Sequence, residues 1–196
     1  GYKAVRYYQA YKTLLDPVIV LLNEVADLTD NASFAKFLRL KAKALVTDEY
    51  FDADVSWIDL SDNKFDMVFG PFETYDDGIK GVKAKYQAYI EIVDKAESDK
   101  LVLYTKYLQE MEDNLPVPEQ YRSVVGGLTT KFVVVRDIMR TGMAITGYQA
   151  VATNLPNDPE VHKQKGTKKT FWKNMFEARF NGIIKPVSDM LIDEQQ

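Results

Sequence analysis

Apolar residues recur at helical spacing over the first third of the chain and predict three consecutive amphipathic helices. The first covers Lys3 to Leu28, where Pro17 either kinks one helix or opens a second at its first position. Asn31 is predicted to cap the second helix. Thr47 is predicted to cap a third helix, which runs to Ile58. Residues 1–63 are therefore expected to form an N-terminal helical bundle.

The pattern changes at Lys64. Phe65–Phe69 is a short apolar run closed by Gly70-Pro71, which predicts a strand, and Glu73–Tyr75 is predicted to be a second extended piece. Helical spacing resumes at Val82 and runs through Tyr86, Tyr89, Ile90 and Val93, and another helix is expected over Ser98–Asp113. Residues 64–114 thus read as a strand pair followed by a helical hairpin.

Leu115–Pro118 is the clearest linker, and a mixed segment follows it. Strands are predicted at Phe132–Val135 and Tyr148–Ala152, a short helix from Asp158-Pro159, and a helix from Thr170 to Met190 that Gly182 and Pro186 interrupt. The predicted class is α+β and helix-dominated. Its three segments, 1–63, 64–114 and 115–196, are expected to form one region of a longer protein.

Composition narrows the possible partners. A net charge of −4 and a pI near 5.2 argue against nucleic acid, because phosphate binding needs a basic surface. No apolar run approaches the length of a membrane span, so no membrane contact is expected. The absence of cysteine excludes disulfides and thiolate metal sites and fits a cytoplasmic protein.

Metal and catalytic motifs are missing from the sequence. His162 is the only histidine, which excludes a two-histidine zinc motif and leaves a plain surface histidine as the prediction. The acidic stretch from Asp48 to Asp66 does not form a calcium loop. Counted from Asp52, Trp57 and Asn63 occupy the places that need glycine and glutamate. We therefore assign no catalytic residue and no metal ligand.

The remaining candidate functional residues lie in two polar segments, Gly70–Asp77 and Asn154–Asp158. Each follows a predicted strand and places carboxylate, phenol or amide groups on a loop, where scaffolds commonly display function. A purely structural interpretation exists for both. Glu73 would pair with a nearby lysine, and the asparagines Asn154 and Asn157 would satisfy their own turn.

Five short segments in order resemble the dipeptidyl-peptidase III family of zinc metallopeptidases, over most of the chain from about Ala32 onward. The segments are Gly70-Pro71-Phe72-Glu73-Thr74-Tyr75, Gly81 with Tyr86-Gln87-Ala88-Tyr89, Gly147-Tyr148-Gln149-Ala150, Asn154-Leu155-Pro156-Asn157-Asp158, and Lys165-Gly166-Thr167-Lys168-Lys169 before Asn174. The chain is most similar to the bacterial and plant branch of that family, in which some members carry a separate Nudix domain.

The resemblance implies substrate-binding roles for Glu73, Tyr75, Asn154 and Asn157, which would hold the free N-terminus and backbone of a short peptide. A carboxylate suits an ammonium group, and amides suit peptide N–H and C=O groups. The four are therefore expected on one accessible surface. The family's zinc motif, a histidine pair around a glutamate, has no match here and would follow residue 196, so zinc is expected only in the full-length parent.

These observations favour a non-catalytic piece of a zinc-dependent, two-lobed peptidase-like hydrolase. It would carry part of the peptide-binding wall, with the remaining catalytic lobe of the same polypeptide as its partner. Two alternatives stay open at this point. One is a non-enzymatic helical binding or scaffold domain, and the other is an accessory region of a Nudix-type hydrolase.

Overall fold

A computed structural model describes residue 3 and residues 5–72, 86–122, 130–145 and 150–192. The chain divides into two compact units. The helical unit contains residues 1–63 and 156–167, and the sheet unit contains residues 64–155 and 168–196. The three-segment division of the sequence stays a prediction.

Helices make up the described part of the helical unit. They are α1 Tyr7–Ala10, α2 Lys12–Leu28, α3 Ala32–Thr47, α4 Phe51–Ile58 and α7 Pro159–Lys165. In this unit α2 packs on α3, α3 on α4, and α4 on α7. The interior is apolar, and its buried members include Leu15, Leu22, Phe37, Leu38, Leu45, Trp57 and Val161.

The helix boundaries follow local chemistry. The predicted helix Lys3–Leu28 is divided at Tyr11 into α1 and α2, and α2 continues through Pro17, where the sequence predicts a kink or a new helix start. The predicted cap at Asn31 is confirmed, since its side-chain oxygen accepts a hydrogen bond from the Phe34 amide at 2.9 Å. The predicted cap at Thr47 is wrong. Thr47 is the last residue of α3, Asp48 ends that helix with a left-handed φ of 67°, and α4 begins at Phe51.

A buried ion pair joins α3 to α4. The Lys41 ammonium lies 3.1 Å from an Asp54 carboxylate oxygen and 5.3 Å from the centroid of the Tyr50 ring. Burial raises the pKa of Asp54, and the nearby positive charge of Lys41 opposes that rise. Lys41 therefore offsets part of the cost of burying the Asp54 carboxylate.

The sheet unit is built on a curled, mixed five-stranded sheet with the strand order β1-β2-β3-β5-β4. The strands are β1 Phe65–Pro71, β2 Tyr86–Val93, β3 Lys131–Gly142, β4 Ala152–Leu155 and β5 Lys168–Trp172. Neighbours are antiparallel except for β3 and β5, which run parallel. The α+β class with a majority of helix is confirmed.

Two predicted helical stretches in this unit are strands. Residues 86–93 form β2, in which Gln87, Tyr89 and Glu91 alternate with more exposed neighbours. Residues 168–172 form β5, so the helix predicted from Thr170 begins only at Lys173. Both errors have one cause. The buried faces of these strands are partly polar, and apolar spacing alone then mimics a helix.

The other predicted strands have mixed outcomes. Phe65–Phe69 is confirmed within β1, and Phe132–Val135 within the longer β3. Of the predicted strand Tyr148–Ala152, the first two residues lie outside the described residues, Val151 lies in a bend, and only Ala152 belongs to β4, which begins there. The main-chain carbonyl of Val151 accepts a hydrogen bond from the Trp172 amide at 2.9 Å. Glu73–Tyr75 falls outside the described residues.

Helices of the sheet unit flank β3. The predicted helix Ser98–Asp113 is divided into α5 Lys95–Thr105 and α6 Leu108–Asp113. After β5 the chain forms α8 Lys173–Arg179, a π-helical turn at Phe180–Ile184 that contains the predicted break at Gly182, and α9 Lys185–Ile192. Helices α5 and α8 pack on β3. None of the helices in the described ranges is long and apolar enough to cross a membrane.

We predict that Lys41→Met destabilises the protein by about 3–5 kcal/mol, because it leaves the Asp54 carboxylate buried without a cation. The double variant Lys41→Met with Asp54→Leu should recover most of that loss. Chemical denaturation measures both, and Lys43→Met, at an exposed position of the same helix, serves as the control. Equal stability of the single and double variants would contradict the prediction.

Candidate functional site

Asn154 lies on the edge strand of the sheet. Among the described strands, β4 has a single neighbour, β5, and Asn154 is paired in register with Lys169. Side chains alternate along β4, so Thr153 and Leu155 face the buried side while Asn154 is exposed. The Asn154 amide therefore stands on the accessible face of a strand whose outer edge borders no other described strand.

The loop after β4 leads into α7 of the helical unit. Asp158 caps this helix, because its carboxylate accepts hydrogen bonds from the Glu160 amide at 2.8 Å and the Val161 amide at 3.4 Å. This confirms the helix predicted from Asp158-Pro159. The His162 ring lies half-buried, with its Nε2 2.5 Å from the Pro156 carbonyl oxygen. The ring is thus partly exposed, as expected for a surface histidine, and it also contacts the loop that carries Asn157.

The four predicted substrate-binding residues are only partly described. Asn154 belongs to the sheet unit and Asn157 to the helical unit, and both side chains are exposed. Asn154 stands on a strand, so the turn-forming interpretation does not apply to it. Glu73 and Tyr75 lie outside the described residues. A shared surface for all four therefore stays a prediction.

A second polar feature, which we term the charged cluster, lies on the buried face of the sheet. It consists of Asp66 on β1, Glu91 on β2, Asp137 and Arg140 on β3, and Lys168 on β5. The side chains of Asp66 and Lys168 form an ion pair across the two intervening strands. Trp172 donates its indole N–H to a carboxylate oxygen of Glu91. Ionisable groups thus occupy a place where sheets usually bury apolar side chains.

A bulge in β3 brings Asp137 and Arg140 to the same face. The register of β2 against β3 skips Ile138, so Glu91 faces Asp137 and Tyr89 faces Arg140. The Asp137 and Arg140 side chains form an ion pair. The guanidinium lies 4.3 Å from the centroid of the Trp172 ring. Without the extra residue, these two side chains would point to opposite faces.

Hydrogen bonds from neighbouring elements hold this arrangement. The Asn174 side chain on α8 accepts from the Asp137 amide at 3.0 Å and donates to the Asp137 carbonyl at 2.9 Å. Arg140 donates to the Ala150 carbonyl at 3.0 Å, just ahead of β4. The Tyr89 ring stacks on Trp172 with centroids 4.6 Å apart. The cluster therefore connects β3 and β5 to the chain segment that leads into the candidate site.

Glu91 is the electrostatically unusual member of the charged cluster. Burial, followed by the negative charge of Asp66, raises the pKa of Glu91 to about 8. The indole hydrogen bond from Trp172 and the positive charge of Lys168 oppose this rise without cancelling it. Within the described ranges, no three His, Asp or Glu side chains are grouped so as to hold a metal ion.

Sequence reasoning missed the charged cluster, although a signal was present. Polar residues recur at every second position in Gln87-Ala88-Tyr89-Ile90-Glu91, with the apolar residues Ala88 and Ile90 between them. This period-two alternation is typical of a strand and marks the polar set as the inward face of β2. The segment Lys168-Lys169-Thr170 is polar at every position and carries no such signal.

Comparison with known proteins shows which structures this segment resembles. The chain superposes on the structure of DPP III from Caldithrix abyssi with a TM-score of 0.88 and 38% sequence identity, over 95% of this chain and 36% of that one. Dipeptidyl-peptidase III from Corallococcus sp. strain EGB gives a TM-score of 0.85 and 34% identity, over 96% of this chain and 35% of that one. Over nearly its whole length, this segment is therefore similar to part of dipeptidyl-peptidase III structures.

A curated plant protein extends the comparison. Nudix hydrolase 3 from Arabidopsis thaliana is 35% identical over 193 residues, which is 98% of this chain and 25% of the plant protein. The chain thus spans about a quarter to just over a third of the length of these relatives. No family model matches the sequence.

We predict that Asn154→Ala changes the free energy of unfolding by less than about 0.5 kcal/mol, because the side chain is exposed on an edge strand. Leu155→Ala, on the adjacent buried position, should cost about 2–5 kcal/mol. Urea denaturation of the two variants measures the contrast. A large loss with Asn154→Ala would show that the asparagine serves the fold instead of a ligand.

Proposed function

We propose that this segment forms part of the peptide-binding wall of a zinc-dependent, two-lobed peptidase-like hydrolase and is not itself catalytic. The remaining catalytic lobe of the same polypeptide would supply the zinc and the activated water. The substrate is a short peptide with a free N-terminus. The absence of cysteine fits the cytoplasm as the location of this enzyme.

One observation carries the proposal: an exposed asparagine on the edge strand of the sheet. An edge strand can pair with an extended peptide through main-chain hydrogen bonds, and neighbouring side chains then select the ligand. The Asn154 amide offers both a donor and an acceptor beside that edge. Asn157 and Tyr75 would add polar contacts. Glu73 would pair with the peptide's ammonium group, a role that rests on the family resemblance.

We expect the chain to bind a tetrapeptide with a free N-terminus roughly tenfold more tightly than its N-acetyl form, because acetylation removes the charge that Glu73 pairs with. Glu73→Gln should abolish this difference. Asn154→Ala should weaken binding of both peptides by about three- to tenfold, since it removes hydrogen bonds to the peptide backbone. Calorimetric titration measures the affinities, and amide chemical shifts report whether β4 is the contacted strand.

Asn181→Ala is a matched control, because this asparagine is exposed on the π-helical turn, outside the proposed wall. It should bind both peptides as the parent chain does. Equal affinity for the free and acetylated peptides would remove Glu73 from the proposal. If the peptide binds without any shift of the β4 amide signals, β4 is not the contacted strand and that part of the proposal is wrong.

We further predict that the chain retains no stoichiometric zinc after dialysis and hydrolyses no peptide. Catalytic zinc needs about three protein ligands, commonly including two histidines. The single histidine, His162, already contacts the Pro156 carbonyl. Elemental analysis of the dialysed protein measures the metal content. Stoichiometric zinc that disappears in His162→Ala would contradict the prediction.

A second function is favoured by the name of the plant relative. This segment would then be an accessory region of a Nudix-type hydrolase, with no role in peptide binding. Titration of the chain with the same free peptide separates the two proposals. Failure to bind at millimolar concentration favours an accessory or scaffold role.

A further inference from the structure

The charged cluster contains five ionisable side chains, three acidic and two basic, and all of them are almost completely buried. Asp66 and Glu91 are 0% exposed, and the side chains of Lys168, Asp137 and Arg140 are 1%, 4% and 7% exposed. Asp66 pairs with Lys168, and Asp137 pairs with Arg140. Glu91 is left as a third carboxyl with two cations already engaged. If it were ionised, the cluster would hold one uncompensated buried charge, which is strongly unfavourable.

Two oxygen atoms of the charged cluster lack hydrogen-bond partners within the described part of the chain. One is Oε2 of Glu91, whose other oxygen accepts the indole N–H of Trp172. The other is Oδ1 of Asp137, whose second oxygen pairs with Arg140. Glu91 and Asp137 face each other in the register of β2 and β3. Glu91 also faces Asp66 in the register of β1 and β2, so a carboxylate lies opposite it on each neighbouring strand.

We propose that the sheet binds one proton in its native state, carried on Glu91. This proton makes the charged cluster neutral, with Asp66 and Asp137 balanced by Lys168 and Arg140. It also removes the repulsion between Glu91 and the carboxylates on the two adjacent strands. The groups that face Glu91 are Asp66 from β1, Asp137 and Arg140 from β3, and Lys168, Thr170 and Trp172 from β5.

The proton has a consequence for stability. Glu91 has a pKa of about 8 in the native state, whereas an unfolded glutamate ionises near 4.5. Between these values the native state holds a proton that the unfolded state has lost, so the folded-to-unfolded ratio falls as pH rises. The expected fall is about tenfold per pH unit from one carboxyl, and it levels off above the native pKa. The protonated Glu91 carboxyl makes its full contribution to the free energy of unfolding only below about pH 4.5.

Carbon-13 labelling of glutamate side chains tests the proton directly. In the wild-type chain, the carboxyl signal of Glu91 should titrate well above the ordinary glutamate range. The signal of Glu97 should titrate below it, since Lys173 and Lys100 lower the pKa of that carboxyl. Asp137→Asn removes one negative charge, so an ionised Glu91 together with Asp66 would be balanced by Lys168 and Arg140. In that variant the Glu91 signal should shift to markedly lower pH. Ordinary titration of Glu91 in the wild-type chain would overturn the proposal.

Denaturation as a function of pH supplies the second test. Glu91→Gln mimics the protonated carboxyl, so it should remove the fall in stability between about pH 5 and 8. Glu97→Gln, in an ion-paired position on α5, should keep that fall and is the matched control. A Glu91→Gln profile as steep as the wild-type profile would overturn the proposal. If Glu91→Gln fails to fold, the titration of the wild-type chain still decides.

Discussion

The ion pair between Asp66 and Lys168 is the constraint on which the sheet unit depends. The two residues are separated by 102 positions in the sequence, and two strands lie between theirs in the sheet. Both are almost completely buried, so loss of either charge is expected to be strongly destabilising. Their contact ties β1 to β5 across β2 and β3. Beside β5 lies β4, the strand that carries Asn154.

Alternation along β5 divides the sheet into a structural face and a candidate ligand face. Lys168, Thr170 and Trp172 point to the charged cluster, whereas Lys169 shares its face with Asn154. Substitutions on the buried face are therefore expected to act mainly on stability, and those on the other face on the proposed peptide binding. This separation is useful because stability and peptide affinity can be tested with different variants of adjacent residues.

Sequence patterns located elements where local chemistry decides the conformation. Asn31 and Asp158 cap helices because their carbonyl and carboxylate oxygens reach nearby amides, and this requires no distant partner. The patterns failed at β2 and β5, where burial of Glu91 and Lys168 depends on partners far away in the sequence. Apolar spacing cannot anticipate such partners. Of the candidate site, the prediction that Asn154 lies in a loop after a strand is wrong, because β4 runs from Ala152 to Leu155 and includes Asn154.

Buried charge also explains why the β3 bulge matters. A regular strand would separate Asp137 from Arg140 across the sheet and leave each of them unpaired on its own face. The extra residue Ile138 places both on the buried side, where Arg140 stacks on Trp172 and reaches the Ala150 carbonyl. The same bulge brings Asp137 opposite Glu91. A third carboxyl is thereby introduced into a cluster with only two cations, and the proton on Glu91 is the electrostatic consequence of that geometry.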